Sequence, residues 1–182
     1  MQGKVVVKTS SRIHIISLDP NGSIGRVWGG LGIALSEPRL TLKISENRQR
    51  IVIGPNEHKQ IVLEAAHLLL RHMNINRDVK IQIAESYPMH LGLGSETQLR
   101  LATGFGISGL FGLDMQLEQI ATITRAARFS GVGYGAFKFG GFIIDGGWSF
   151  GKGAQKESFE APALSAPPIL AHIDFPNEWK VI

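Results

Sequence analysis

A short glycine-rich segment is the part of this sequence whose residue types and spacing could do chemistry. The segment His90-Leu-Gly-Leu-Gly-Ser-Glu-Thr-Gln98 lies between a predicted strand and a predicted helix. Backbone N–H groups at a helix start lack intrahelical partners, glycine lets the backbone approach a ligand closely, and the helix dipole favours an anion. The segment therefore predicts a phosphate-binding loop. The residues expected to bind the phosphate are Gly92, Leu93, Gly94, Ser95, Thr97 and Gln98.

The same segment has a second interpretation that concerns only the helix. Ser95 and Gln98 have the spacing of a capping box, in which each side chain accepts or donates a hydrogen bond at the backbone of the other. Glu96 lies between them, where its carboxylate is stabilised by the helix dipole but repels a bare phosphate. A bound Mg²⁺ ion would reconcile the two effects, because hard cations bridge carboxylates and phosphates. Glu96 is therefore a hypothetical metal ligand, and both interpretations of the loop stay open.

The elements around the loop follow from hydrophobic periodicity. Alternating apolar residues predict strands over 5–8, 12–18, 25–35, 40–45, 50–53 and 79–83. Helical spacing predicts helices over 57–72, 95–111 and 117–128, with Asn56 as the N-cap of the first, and an apolar run predicts a last strand over 141–145. Strands followed by alternating helices and strands indicate a two-layer α+β domain in which a mixed sheet packs against helices.

The last part of the chain differs from the rest. Glycine and proline interrupt residues 151–182, so we predict one domain over residues 1–150 followed by a tail. The final Trp179-Lys-Val-Ile182 has the composition of a strand that is beginning. The tail is therefore expected to lead towards a C-terminal domain that this sequence lacks.

Composition excludes several classes of function. The 182 residues carry a net charge of +4 without any basic stripe, which argues against nucleic-acid binding and suits a small anionic, phosphorylated substrate. Cysteine is absent, and the N-terminus lacks the apolar stretch of a signal peptide. No apolar run approaches the roughly 20 residues that cross a bilayer. We expect a cytoplasmic protein without membrane contact.

Three ordered segments resemble one known family. The stretch Pro88 to Gln98 resembles the second signature of the GHMP kinase superfamily, and its Gly-Leu-Gly-Ser-x-Thr-Gln is closer to the β-ribofuranosylaminobenzene 5'-phosphate synthases. Residues 12–19 and 25–32 are similar to the opening strands of those synthases. Residues 128–147 resemble their most distinctive segment. The resemblance identifies the chain as the N-terminal portion of a member of this family, with a GHMP-type fold.

The resemblance, rather than composition or periodicity, implies an activity. Family members join 5-phosphoribosyl 1-diphosphate to 4-aminobenzoate or 4-hydroxybenzoate with Mg²⁺ present, releasing diphosphate and carbon dioxide on the way to methanopterin. Such a site must hold the leaving diphosphate and stabilise positive charge on the sugar. We expect Arg12 and Arg26 to donate hydrogen bonds to the phosphate groups. The expected catalytic groups are Asp19, His14 and His90, and Asp145 is expected to be a second metal ligand.

Each of these side chains also has a structural interpretation. Arg12 and Arg26 could be solvated strand ends, and His14 could occupy the polar face of a strand. Asp145, between Ile144 and Gly146, could cap a turn.

Two departures keep other functions open. Several GHMP kinases have an acid in Ser-Gly-x-Asp that activates the attacking hydroxyl, whereas this chain has Gly133 at that place, and glycine cannot accept a proton. Family members are also usually much longer. We therefore weigh three functions: the synthase, a small-molecule kinase that uses ATP, and a truncated non-catalytic subunit or ligand-binding module. Self-association, or a second polypeptide that supplies the missing half, is expected in the last case.

Overall fold

The structure, a computed structural model, describes residues 3–126, 131–149, 166–176 and 178–181. Its strands are β1 (Lys4–Leu18), β2 (Arg26–Val27), β3 (Gly29–Asn47), β4 (Ile51–Ile53), β5 (Asp78–Glu85), β6 (Phe142–Asp145), β7 (Trp148–Ser149) and β8 (Ile169–Ile173). Its helices are α1 (Asn56–His72), α2 (Ser95–Phe111), α3 (Leu117–Ile123) and α4 (Gly131–Phe139).

The long strand β3 is the centre of a mixed sheet. β1 pairs antiparallel with almost the whole of β3. On its other edge β3 pairs antiparallel with β5 through one half and with β6 through the other. β8 continues the sheet beyond β6, and β4 adds to β5 in parallel. β2 and β7 form a separate two-stranded ribbon that closes the loop between β1 and β3.

The helices cover one face of this sheet and bury its apolar side chains. Leu40, Leu42 and Ile44 alternate along β3, and all three are fully buried. They pack in one core with Leu69 of α1 and Leu99 of α2. The predicted two-layer α+β architecture with a mixed sheet is therefore confirmed.

In two places, strands that were predicted separately form one continuous strand. Residues 5–8 and 12–18 both belong to β1. Residues 40–45 and most of the strand predicted over 25–35 belong to β3, which begins at Gly29, while Arg26–Val27 form the separate strand β2. The register between β1 and β3 shifts where Thr9 pairs with Leu40 and Ser11 pairs with Leu35. The polar interruptions in the sequence thus mark an irregularity within a continuous ladder, which sequence alone does not distinguish from a turn.

The helices differ from prediction in three places. Pro55 is the N-cap of α1, so the expectation that Asn56 caps it is wrong, and the Asn56 side chain instead accepts a hydrogen bond from Lys59 at 2.9 Å. α3 ends at Ile123, and the predicted end at Arg128 lies outside the described residues. α4 was not predicted, because its glycines are typical of a loop. α2 has the predicted bounds.

The predicted tail contributes a strand to the sheet. Ile169–Ile173 forms β8 beside β6, whereas the expected strand start is wrong, since Trp179–Val181 is not in a strand. Residues 150–165 lie outside the described part, so the domain division at 150 stays a prediction. Among the described residues, none of the helices combines the length and apolar character needed to span a membrane.

Candidate functional site

The glycine-rich loop joins β5 to α2 in an unusual backbone conformation. His90, Gly92 and Gly94 have φ angles of 61°, 75° and 79°, all in the left-handed region. Alternation of left-handed residues can turn backbone N–H groups towards a common concavity. Gly94 is the N-cap of α2, and the N–H groups of the first helical turn lack intrahelical acceptors. The loop therefore has the backbone geometry of an anion-binding site.

A pocket of about 310 Å³ opens at this loop. Seven of the residues singled out from the sequence line it: Arg12, His90, Gly92, Gly94, Ser95, Glu96 and Thr97. Five more lining residues were not predicted: Glu64, Met89, Arg100, Arg125 and Ala126. This volume lies at the lower end of the range for small-molecule sites. The structure thus brings together about half of the predicted residues and adds charged groups from α1, α2 and the end of α3.

Arg12 fastens the loop to β1. Its backbone N–H donates to the carbonyl of Leu93 at 3.0 Å, and its guanidinium donates to the carbonyl of Gly92. The same guanidinium lies over Gly94, where a Cβ would be 3.0 Å from Nε of Arg12. Burial lowers the pKa of Arg12 and raises the pKa of the neighbouring Tyr87 to about 12. Arg12 therefore places a partly desolvated positive charge beside the loop amides, an arrangement that would favour an anion there.

The capping-box interpretation of the loop is wrong. Gly94 caps α2 without any side-chain hydrogen bond, and the Ser95 hydroxyl points towards the sulfur of Met89 at 3.1 Å. The side chain of Gln98 is fully buried. It donates to the carbonyl of Gly133 at 2.8 Å and accepts from the hydroxyl of Thr9. Gln98 thus joins α2 to β1 and α4, and it does not line the pocket.

A buried arginine organises the charged wall of the pocket. The Arg100 side chain is 10% exposed and donates to Glu96 at 2.9 Å, to Glu64 at 2.8 Å and to the carbonyl of Thr124 at 3.1 Å. The sequence contains a signal for one of these contacts, since Glu96 and Arg100 are four residues apart on one helix. Glu64 and Thr124 come from other elements, so their contribution could not be found in the sequence.

The two predicted metal ligands have different surroundings. Glu96 faces the pocket with a half-exposed carboxylate, beside the loop that would hold a phosphate. Mg²⁺ commonly uses one or two carboxylates together with substrate phosphates, so Glu96 fits such an ion. Asp145 is fully buried and does not line the pocket, so it does not fit. The described residues contain no group of three or more Asp, Glu or His side chains arranged for a metal.

Asp145 belongs to a different environment at the start of α4. Its carboxylate accepts from the N–H of Gly147 at 2.9 Å. Burial raises the pKa of Asp145 to about 6, opposed by the backbone N–H groups of Gly147, Val132 and Gly131. The observed contact with Gly147 is the turn-capping role that we weighed for this residue.

Arg26, Asp19 and His14 also lie outside the pocket. Arg26 donates to the carbonyls of Gly146 and Gly147 at 2.5 and 2.6 Å. Asp19 accepts three hydrogen bonds from residues 23–24, which close the loop after β1. A strand rises about 3.3 Å per residue, so Asp19 lies roughly 20 Å from Arg12 along the chain. Burial lowers the pKa of His14, which is two residues from Arg12 on β1.

The fold and the loop define a class of protein. A glycine loop ahead of a helix that packs on a mixed sheet is the arrangement implied by the GHMP resemblance, and residues 60–141 match the family described as "GHMP kinases N terminal domain". The phosphomevalonate kinase of Streptococcus pneumoniae has a similar structure, with a TM-score of 0.61, 12% identity, and coverage of 80% of this chain and 49% of that chain. The chain is thus similar to the N-terminal domain of GHMP kinases over residues 60–141, and it shares their fold.

The relatives in sequence are more specific. The beta-ribofuranosylphenol 5'-phosphate synthase of Methanocaldococcus jannaschii is 38% identical over 194 residues, covering 98% of this chain and 58% of the relative. The synthase of the same name from Archaeoglobus fulgidus is 38% identical over 179 residues, covering 97% of this chain and 55% of the relative. The resemblance stated from sequence motifs is confirmed. The chain spans a little over half the length of these relatives.

Proposed function

We propose that this chain provides the phosphate-binding part of a β-ribofuranosyl 5'-phosphate synthase of methanopterin biosynthesis. In this reaction, 5-phosphoribosyl 1-diphosphate reacts with an arene acid, and the new bond forms at C1 of the sugar. Diphosphate leaves C1, and the carboxyl group of the arene acid leaves as carbon dioxide. The observation that carries the proposal is the similarity over nearly the whole chain to enzymes named as such synthases. The pocket at the glycine loop supports it with a site for a phosphorylated ligand.

Different residues of the pocket would contact different parts of such a ligand. The loop N–H groups and the Ser95 hydroxyl would donate hydrogen bonds to the phosphate oxygens, and the nearby charge of Arg12 would balance the phosphate. Thr97 and His90 lie at the edge of the same space as further donors. Glu96 would hold Mg²⁺, which when bound would neutralise charge on the leaving diphosphate. The roles predicted for His14, Asp19, Arg26 and Asp145 stay predictions that this pocket does not support, since none of the four residues lines it.

The kinase alternative is weakened by the packing of α4. Gly133 stands where several GHMP kinases have a general base, and a Cβ at this position would lie 2.9 Å from Cγ2 of Thr97. Position 133 therefore lacks the acidic side chain of those kinases and has no space for one. Loss of general-base help typically lowers a rate by about 10²–10⁴-fold. Likeness to solved kinases at 12% identity concerns the fold alone.

The names of the relatives favour one of the two arene acids. A ribofuranosylphenol is the product expected when 4-hydroxybenzoate loses its carboxyl group as carbon dioxide. We therefore propose 4-hydroxybenzoate as the first substrate to test, with 4-aminobenzoate beside it. We also propose a cytoplasmic location, to which the absence of cysteine is suited.

The test is release of labelled carbon dioxide. The protein is incubated with 5-phosphoribosyl 1-diphosphate, Mg²⁺ and each acid labelled in its carboxyl group, and release is expected with at least one acid. Glu96→Gln should raise the Mg²⁺ concentration for half-maximal rate by about tenfold. Glu46→Gln is the matched control, because Glu46 also pairs with an arginine but lies away from the pocket, and it should leave the rate unchanged.

The other outcomes point to the alternatives. Consumption of ATP that depends on an added alcohol would establish a kinase instead. Diphosphate binding without carbon dioxide release would indicate a ligand-binding module, or a subunit that needs a copy of itself or a second polypeptide to complete the cleft.

A further inference from the structure

Arg125 lies on the wall of the pocket that is formed by the end of α3. It lines the same space as Gly92, Gly94 and Ser95 of the glycine loop, although it is about 30 residues away in sequence. The Arg125 side chain is 58% exposed, and its ion pair among the described residues is a distant one, 3.8 Å from Glu64. The neighbouring Arg100 differs, because close acceptors surround its guanidinium. Arg125 thus keeps donors available for a ligand.

The backbone at Arg125 is unfavourable for an arginine. The N–H of Ala126 donates to the carbonyl of Ala121 at 2.9 Å, and the N–H of Arg125 donates to that of Thr122 at 3.2 Å. These two bonds form a Schellman motif, which requires a left-handed residue at the position of Arg125, where φ is 60°. Glycine is the usual residue at this position because any Cβ is strained there.

The other helices show the usual solution. α1 ends in the same motif with Asn74 at a φ of 52°, and α2 ends with Gly112 at 64°. Asparagine and glycine are the residues that enter the left-handed region most readily. Among the described helix ends, only the end of α3 has a long cationic side chain at this position, and this is the helix end that lines the pocket. A departure from local preference of this kind is expected where a residue serves function.

We propose that Arg125 binds the phosphate groups of the ligand from the wall of the pocket that the end of α3 contributes. Glu64 holds the guanidinium near the pocket in the absence of ligand, and it remains paired with Arg100 when Arg125 turns to the anion. The planar guanidinium can then form two parallel hydrogen bonds to phosphate oxygens. The identity of the ligand as a diphosphate ester rests on the proposed function, whereas the anion-binding role rests on the pocket geometry.

The test measures binding of inorganic diphosphate by isothermal titration calorimetry, with and without Mg²⁺. Arg125→Gly should weaken binding by about tenfold, as expected for loss of a charge-assisted contact, and should at the same time raise the melting temperature because glycine relieves the strained helix end. Arg125→Lys keeps the charge without the planar fork and should show intermediate affinity. A merely structural role for Arg125 would not produce a more stable protein that binds less.

Two control variants separate the local effect from general ones. Asn74→Gly makes the same kind of backbone change at the end of α1, and it should leave diphosphate affinity unchanged. Arg77→Gln removes one positive charge from an equally exposed arginine that pairs with Glu46, and it should also leave affinity unchanged.

The outcomes decide the inference independently of the reaction. Weaker binding by Arg125→Gly alone supports it, even if no carbon dioxide is released and the proposed function fails. Equal binding by Arg125→Gly and the wild type overturns it while leaving the synthase proposal intact. Absence of diphosphate binding by the wild-type protein overturns it as well.

Discussion

Gly133 of α4 packs so closely against Thr97 of α2 that no side chain fits between the two helices. A Cβ at Gly133 would lie 2.9 Å from Cγ2 of Thr97 and 3.2 Å from its Cβ. Glycine in a helix interior costs about 1 kcal/mol relative to alanine, so helix propensity alone favours a replacement. We predict that Gly133→Ala nevertheless lowers the free energy of unfolding, because overpacking a core costs about 1–3 kcal/mol. The expected net loss is about 1 kcal/mol.

A second substitution shows whether the close contact is the cause. Thr97→Ser removes Cγ2, the nearest atom, and keeps the hydroxyl. In that background Gly133→Ala should be neutral, or should stabilise the protein by up to about 1 kcal/mol through helix propensity. The double-mutant cycle should therefore give a coupling free energy of about 1–2 kcal/mol between the two sites.

Urea unfolding of the wild type, both single variants and the double variant measures this coupling. Gly109→Ala in α2 is the control, since a Cβ there would have its nearest neighbour at 3.9 Å, and it should stabilise the protein by about 1 kcal/mol. The reasoning is refuted if Gly133→Ala stabilises the protein as much as Gly109→Ala does. It is also refuted if Gly133→Ala has the same effect with Thr97 and with serine at position 97.

Two further predictions concern buried polar groups. Gln98→Leu removes a donor to the Gly133 carbonyl and leaves the buried Thr9 hydroxyl without its acceptor, so urea unfolding should show a loss of about 1–3 kcal/mol, with diphosphate affinity unchanged. A selective loss of affinity would instead give Gln98 a role in binding. Burial raises the pKa of Asp145 from 3.8 to about 6, so the folded protein binds this proton more tightly and its stability should fall as pH rises between these values. The difference in free energy of unfolding between the wild type and Asp145→Asn should change by about 2–3 kcal/mol across that window. A difference that stays the same at every pH would contradict the raised pKa of Asp145.

Local patterns in the sequence predicted the elements next to the site. The periodicity of residues 95–111 predicted α2 with its observed bounds, alternation predicted β5, and an apolar run predicted β6. The same rules missed α4, because Gly131, Gly133 and Gly135 lower helix propensity. These glycines lie in a helix since α4 packs closely on its neighbours, and such packing is invisible in a local pattern. The gaps between the strands predicted over 5–8 and 12–18, and between those predicted over 25–35 and 40–45, likewise lie within the continuous strands β1 and β3.

The sequence by itself determined that a glycine-rich loop precedes α2, because glycines and an N-terminal helical turn are properties of consecutive residues. It also indicated the resemblance to the synthases, through motifs that keep their order along the chain. Only the tertiary structure decided which distant side chains share the pocket. Arg12, Glu64 and Arg125 meet there because strand pairing and helix packing bring their elements together, while Gln98 turns inward to satisfy buried partners. Side-chain direction depends on burial and on neighbours far away in sequence, which residue spacing does not encode.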